Sequence, residues 1–163
     1  MDQWYINYGE EQWRDQALDW VQNNLNTYSA ETRNAFVGVL NWLNQWACAR
    51  TYGLGSKLPF DPTFLVESLS DSTIYMSYYT IVPWLHTDLF GRSQGKGKIA
   101  PEQMVDEVWD YIFCRRELND EVLEKSKISK ATLEGMRRDF EYWYPLDVRV
   151  SGKDLIPNHL TCE

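Results

Sequence analysis

The sequence predicts a helix-dominated α/β fold with only two or three strands. Three observations predict it. Apolar side chains recur at spacings of three and four over most of the chain, Phe64-Leu65-Val66 is one short apolar run, and Leu146, Val148 and Val150 alternate with polar residues. The first pattern places side chains on one helical face, and the other two suit strands.

From Glu10 to Asn26, Trp13, Ala17, Trp20, Val21 and Leu25 share one helical face. Ser29 can cap a second helix whose stripe is Phe36, Val39, Leu40, Leu43 and Trp46, ending near Ala47, so a helical hairpin is expected. Tyr52-Gly53-Leu54-Gly55 and Leu58-Pro59-Phe60-Asp61-Pro62 are rich in turn formers and read as an irregular connection. Phe64-Leu65-Val66 then reads as a buried strand, and Asp71 or Ser72 can cap a helix running through Tyr79. Residues 91–98 hold three glycines and three basic residues among eight and read as a mobile surface loop. Pro101 suits the first turn of a helix with Met104, Val105, Val108, Trp109 and Ile112 inside, and Ser129 can cap another containing Leu133, Met136 and Phe140. The charged stretch Glu117 to Lys130 between them reads as a solvated face. After the strand at residues 146–150, Gly152 turns the chain and Asp154 to Leu160 begins a helix. Two strands so far apart make no stable sheet by themselves, because a sheet needs about three strands and a buried face, so they read as parts of a larger sheet.

Composition narrows the function. Apolar residues make up 44% of the chain and aromatic residues 15%, enough for a core in a chain of 163. Sixteen basic against twenty-four acidic side chains give a net charge of -8, which repels a phosphate backbone except where cations cluster locally. Cys48, Cys114 and Cys162 are dispersed and odd in number, which supports neither a disulfide framework nor a metal motif and suits a reducing compartment. No apolar run approaches the roughly 20 residues that span a bilayer, and Met1 to Gly9 does not read as a signal peptide, so the cytoplasm is expected and a membrane partner is not.

Two stretches carry chemistry. In Gly152-Lys153-Asp154 a glycine lets the backbone approach a ligand, and a carboxylate at a helix opening can hold two ribose hydroxyls. On spacing alone, Asp154 as a simple helix cap is the plainer reading. In the second stretch, Leu69, Ser72 and Tyr75 stand three apart at a helix start, with backbone N–H groups available for a carboxylate or phosphate, and spacing alone equally allows a capped, aromatic-rich core helix. Two further stretches are decoys. Lys127-Ile128-Ser129-Lys130-Ala131 resembles a loop by which one enzyme family holds a triphosphate, but in that family the loop follows the element that Gly152-Lys153-Asp154 resembles, and the Gly-Lys pairs of residues 91–98 lack Walker spacing.

The stretches Leu65 to Met76 and Val150 to Leu160 resemble the cytosolic, eukaryotic and archaeal-type leucyl-tRNA synthetases. So do Asp2-Gln3-Trp4-Tyr5, Arg33-Asn34-Ala35-Phe36 and Trp42 to Gly55. The resemblance covers nearly the whole chain and is least specific between Phe90 and Ala131. It implies an internal fragment of the class I, Rossmann-like catalytic domain after the editing insertion, with helical insertions. Residues 1–55 would be the helical return from that insertion, 56–90 a strand-turn-helix pocket segment, 91–145 a charged helical insertion, and 146–163 a strand with the start of the adenosine-site helix.

The resemblance further implies that Gly152 and Asp154 contact the adenosine ribose, that Leu69, Ser72 and Tyr75 line the leucine and terminal-adenosine pocket, and that His159 lines the amino-acid pocket. The bacterial form has a second histidine where this chain has Leu155, so the contacts of that residue do not transfer. The parent enzyme would use leucine, ATP with magnesium, and tRNA(Leu). Neither the His-Ile-Gly-His element nor the Lys-Met-Ser-Lys-Ser loop occurs here, so no catalytic residue, metal ligand or tightly bound cofactor is expected in this chain, which alone would be inactive. The ending Leu160-Thr161-Cys162-Glu163 departs from the family and reads as a truncation, with self-association through exposed strand edges as a consequence. The alternative is a non-catalytic helical interaction module derived from a synthetase.

Overall fold

The computed structural model describes residues 3–162. Asp2, part of one family-like stretch, therefore lies outside the described residues. The chain divides into two compact units, Met1–Ile74 with Val150–Glu163, and Tyr75–Arg149. Among the described residues, seven α-helices and four short strands form, with the strands in two two-stranded sheets, which is the helix-dominated α/β pattern expected.

In the first unit, β1 (Tyr5–Asn7) pairs antiparallel with β2 (Gln45–Ala47), Ile6 opposite Trp46. Between these strands in sequence lie α1 (Glu11–Asn23) and α2 (Ala30–Trp42), the expected hairpin. Glu10 caps α1 by accepting from the N–H groups of Gln12 and Trp13, and Ser29 caps α2 by accepting from Thr32. Val21, Phe36, Val39 and Leu40 form the buried seam, joined by Ile156 from the other end of the chain. Trp20 instead stands half exposed. α2 stops at Trp42 rather than near Ala47, because residues 45–47 are drawn into the ladder with β1.

The chain continues into β3 (Ala49–Arg50), which pairs antiparallel with β4 (Leu65–Val66). Cys48 links the two ladders, its N–H donating to the Trp4 carbonyl while its own carbonyl accepts from Glu67. The strand expected at Phe64-Leu65-Val66 thus finds a partner within the chain. The one expected at Leu146, Val148 and Val150 does not form. That segment carries no ladder, and Val148 and Val150 are 71% and 84% exposed. Alternation alone does not make a strand, because strand propensity depends on the tertiary context.

α3 (Ser68–Leu85) starts three residues before the expected cap. The second unit holds its later turns, then α4 (Asp106–Phe113), α5 (Asp120–Ser126) and α6 (Lys130–Trp143). Its core is Ile81, Val108, Ile112, Leu133, Met136 and Phe140. Pro101 opens a 3-10 turn rather than the α-helix itself. The charged stretch folds into α5, whose Val122 and Ser126 are buried. In the Lys127–Lys130 decoy, Lys127 ends α5 in a left-handed conformation, Ile128 is buried and Ser129 caps α6 by accepting from Thr132. It is a linker between helices.

Residues 91–98, read from sequence as mobile, are tied down. The N–H groups of Gly95, Lys96 and Gly97 donate to the carbonyls of Leu85, Pro83 and Trp84 at the end of α3. A Cβ on Gly95 would lie 2.6 Å from the Pro83 oxygen, so only glycine permits this approach.

Candidate functional site

The opening of α3 is built by Glu67. Its carboxylate accepts from the Leu69 N–H at 2.6 Å and the Ser68 hydroxyl at 3.1 Å, while its own N–H is held by the Cys48 carbonyl at 3.0 Å. Glu67 therefore does the work expected of Asp71 or Ser72. One of the free N–H groups expected to await a ligand anion is already occupied. Ser72, half-buried, donates to the Leu69 carbonyl at 3.0 Å, and Thr73 donates to Ser70 at 2.7 Å. Leu69 is also half-buried. Tyr75 lies one turn further along the same helix, half-buried, with its ring edge-on to Tyr79 at 5.9 Å.

Gly152 and Asp154 form a tight local turn. Gly152 has an ordinary φ of -68°, so its role is space rather than conformation. A Cβ there would meet Asp154 Oδ1 at 2.5 Å, which means the carboxylate folds back over the glycine. Asp154 is exposed in the 3-10 turn Lys153–Leu155 rather than in a full helix. α7 (His159–Cys162) follows after a further turn. His159 is buried, its N–H bonded to Asn158 Oδ1 at 2.5 Å, and Thr161 donates to the Ile156 carbonyl at 2.5 Å.

The end of α7 packs against Tyr8, a residue that periodicity gave no reason to single out. Tyr8 is buried beside Cys162, three residues after His159. Tyr8, Leu43 and Cys162 form one apolar cluster, with Trp13 tilted against the Tyr8 ring at 5.1 Å. Burial, reinforced by Cys162, pushes the Tyr8 phenol well above its ordinary range, and burial also raises the Cys162 thiol. Both therefore stay protonated and neutral at physiological pH.

Two concavities lie apart from these residues. A cleft of ≈ 270 Å³ in the first unit is lined by residues including Arg50, Tyr52, Phe64 and Glu67. Arg50 donates to the carbonyls of Tyr52 and Leu54, so its guanidinium props up the glycine-rich connection. A wider groove of ≈ 550 Å³ in the second unit is lined by Arg115, Arg116, Glu134 and Arg137 among others. Neither is lined by Leu69, Ser72, Tyr75, Gly152, Asp154 or His159. Among the described residues, no group of three or more His, Cys, Asp or Glu side chains is placed to hold a metal ion.

Comparison with known proteins fits this local architecture to a family. The chain is 68% identical, over 99% of its length, to a cytoplasmic leucine–tRNA ligase of Neurospora crassa. Nearly the whole chain matches one segment of the leucine–tRNA ligases. A cytoplasmic leucine–tRNA ligase of Saccharomyces cerevisiae is 53% identical over 98% of the chain, and a leucine–tRNA ligase of the archaeon Pyrobaculum neutrophilum is 47% identical over 98%. The chain spans 15%, 14% and 16% of the length of these three leucine–tRNA ligases. No family model matches the chain. Among the described residues, no helix is long and apolar enough to cross a membrane.

Proposed function

We infer that this chain is part of a cytoplasmic enzyme that activates leucine with ATP and charges tRNA(Leu), and that it supplies part of the leucine and adenosine surface. Identity of 68% to a leucine–tRNA ligase across nearly the whole chain carries this reading. Within the first unit, the packing of Cys162 with Tyr8 and Leu43 supports it, since it fixes the short helix that bears His159.

Activation is an in-line displacement at the α-phosphate of ATP by the leucine carboxylate, and the protein's part is positioning and stabilising charge. The exposed Asp154 carboxylate, held over Gly152, is suited to accept from two ribose hydroxyls. Leu69 and Tyr75 offer apolar walls, and His159 offers a polar edge toward leucine. The Ser72 hydroxyl keeps acceptor capacity after donating to Leu69. ATP brings its magnesium, and the phosphate-facing cations come from other parts of the enzyme. The chain alone therefore lacks the groups that stabilise developing charge on the phosphates.

Two measurements test this. ATP–pyrophosphate exchange with leucine should be at background for the isolated chain, and clear turnover would show the assignment of missing groups to be wrong. Calorimetry with a leucyl-adenylate analogue should detect binding that Asp154→Ala abolishes. A folded chain with no affinity for the analogue would instead make it a non-catalytic helical interaction module.

A further inference from the structure

Residues 89–98 contain Arg92, Lys96 and Lys98 and no acidic side chain, in a chain whose net charge is -8. The loop that carries them is shaped. Asp88 accepts from the N–H of Phe90 at 2.8 Å and of Ser93 at 2.5 Å, and its carbonyl takes the N–H of Gly91 at 3.2 Å. His86 pairs with Gln94 across the base, Thr87 donates to the Ser93 carbonyl at 3.0 Å, and His86 Nε2 is bonded to the Tyr78 hydroxyl at 2.9 Å. Gly91 at the tip takes a left-handed φ of 66°. The base is clamped by Lys96, which lies 3.8 Å over the Trp84 ring and pairs with Asp139 at 3.2 Å.

What this scaffold presents is unusual for an exposed turn. Phe90 is 73% exposed, and the Arg92 guanidinium stacks over its ring at 4.9 Å. Among the described residues, Arg92 and Lys98 make no ion pair, in contrast to Lys96, and the one carboxylate of the loop, Asp88, is engaged by backbone N–H groups. An aromatic ring under a guanidinium, with free cations beside it, is the chemistry that binds unpaired nucleotides, where bases stack on the ring or the guanidinium plane and phosphates meet the cations. An acidic or neutral protein surface would match the charge but would leave the preformed stack without a use.

We propose that the loop of residues 86–98 is an RNA contact, with Phe90 stacking on an unpaired base and Arg92 and Lys98 meeting its phosphates. This rests on the reading above only for the source of the RNA, a transfer RNA. Pre-ordering by Asp88 and the Trp84 clamp reduces the entropy lost on binding, which makes a small contact effective.

The test is fluorescence anisotropy of the whole chain with a labelled tRNA(Leu) transcript and with a labelled oligouridylate at several salt concentrations. Phe90→Ala should weaken binding about tenfold and Phe90→Trp should restore it. Arg92→Gln with Lys98→Gln should lower the slope of log affinity against log salt by roughly 0.7 per lost contact. All of these positions are exposed, and circular dichroism confirms that the variants fold. Equal affinity and slope in parent and variants would overturn the proposal, as would absence of RNA binding by the parent at low salt. So would a Phe90→Ala effect confined to self-association in light scattering, which would make the loop a protein contact. RNA binding without affinity for the adenylate analogue keeps this inference and sinks the pocket reading, and the converse result does the opposite.

Discussion

The indole nitrogen of Trp84 donates to Asp139 Oδ2 across 2.7 Å, fastening the end of α3 to α6. Gly135 makes room for the ring, since a Cβ at that position would lie 2.6 Å from the Trp84 six-membered ring. Gly135→Ala should therefore destabilise the second unit by about 1–3 kcal/mol through overpacking, despite the gain in helix propensity. Urea unfolding followed by tryptophan fluorescence measures it, and a stabilised variant would contradict the close contact.

Ser129 separates a linker from a phosphate-binding loop. Its hydroxyl oxygen caps α6 through the Thr132 N–H at 3.2 Å. Ser129→Ala should cost about 1 kcal/mol of stability. Lys127→Ala and Lys130→Ala should leave nucleotide binding unchanged in a filter-binding assay. A loss of ATP affinity in either lysine variant would return this segment to the phosphate-binding class.

Alkaline pH should loosen the first unit. Tyr8 and Cys162 are held above their ordinary ranges, by burial first. Each keeps its proton longer when folded than when unfolded, so the stabilisation is complete below the unfolded values, roughly 8.5 for a thiol and 10 for a phenol. It is lost as pH rises through the folded values. Thermal unfolding between pH 8 and 11 should show a falling midpoint, with a shallower decline in Tyr8→Phe. Identical slopes in the two proteins would remove Tyr8 from the account.

Self-association should follow from the unladdered segment around Val148 and Val150. Both side chains are exposed, and exposed apolar side chains favour association with another copy. Val148→Lys should shift light scattering toward monomer at the same protein concentration. An unchanged mass distribution would mean that the segment takes no part in association.

Ser72 distinguishes a pocket wall from a plain helix turn. Its hydroxyl bonds its own helix at Leu69, so Ser72→Ala should change stability by no more than about 0.5 kcal/mol. Affinity for a leucyl-adenylate analogue should fall by a larger factor in calorimetry. Equal affinity in the two proteins would leave Ser72 as a purely helical residue.

Much of the helical framework was legible in the sequence because local rules govern it. Ser29 and Ser129 cap the helices they were expected to cap, and Phe36, Val39, Leu40, Leu133 and Met136 are buried where helical periodicity placed them. Where expectation and structure part, a distant residue intervenes. α2 ends early because Gln45–Ala47 pairs with Tyr5–Asn7, and α3 begins early because Glu67, held by Cys48, reaches the Leu69 N–H.

The sequence by itself determined the helix pattern, the acidic charge and the kinship to leucine–tRNA ligases, since periodicity, charge and residue identity are properties of the linear chain. Only the tertiary structure decided that Tyr8 packs with Leu43 and Cys162, that a glycine-rich stretch is clamped rather than loose, and that alternation at Leu146, Val148 and Val150 makes no strand. The physical reason is the same in each case. A hydrogen bond or a ladder needs a partner brought close in space, and no local spacing specifies which distant segment that partner will be.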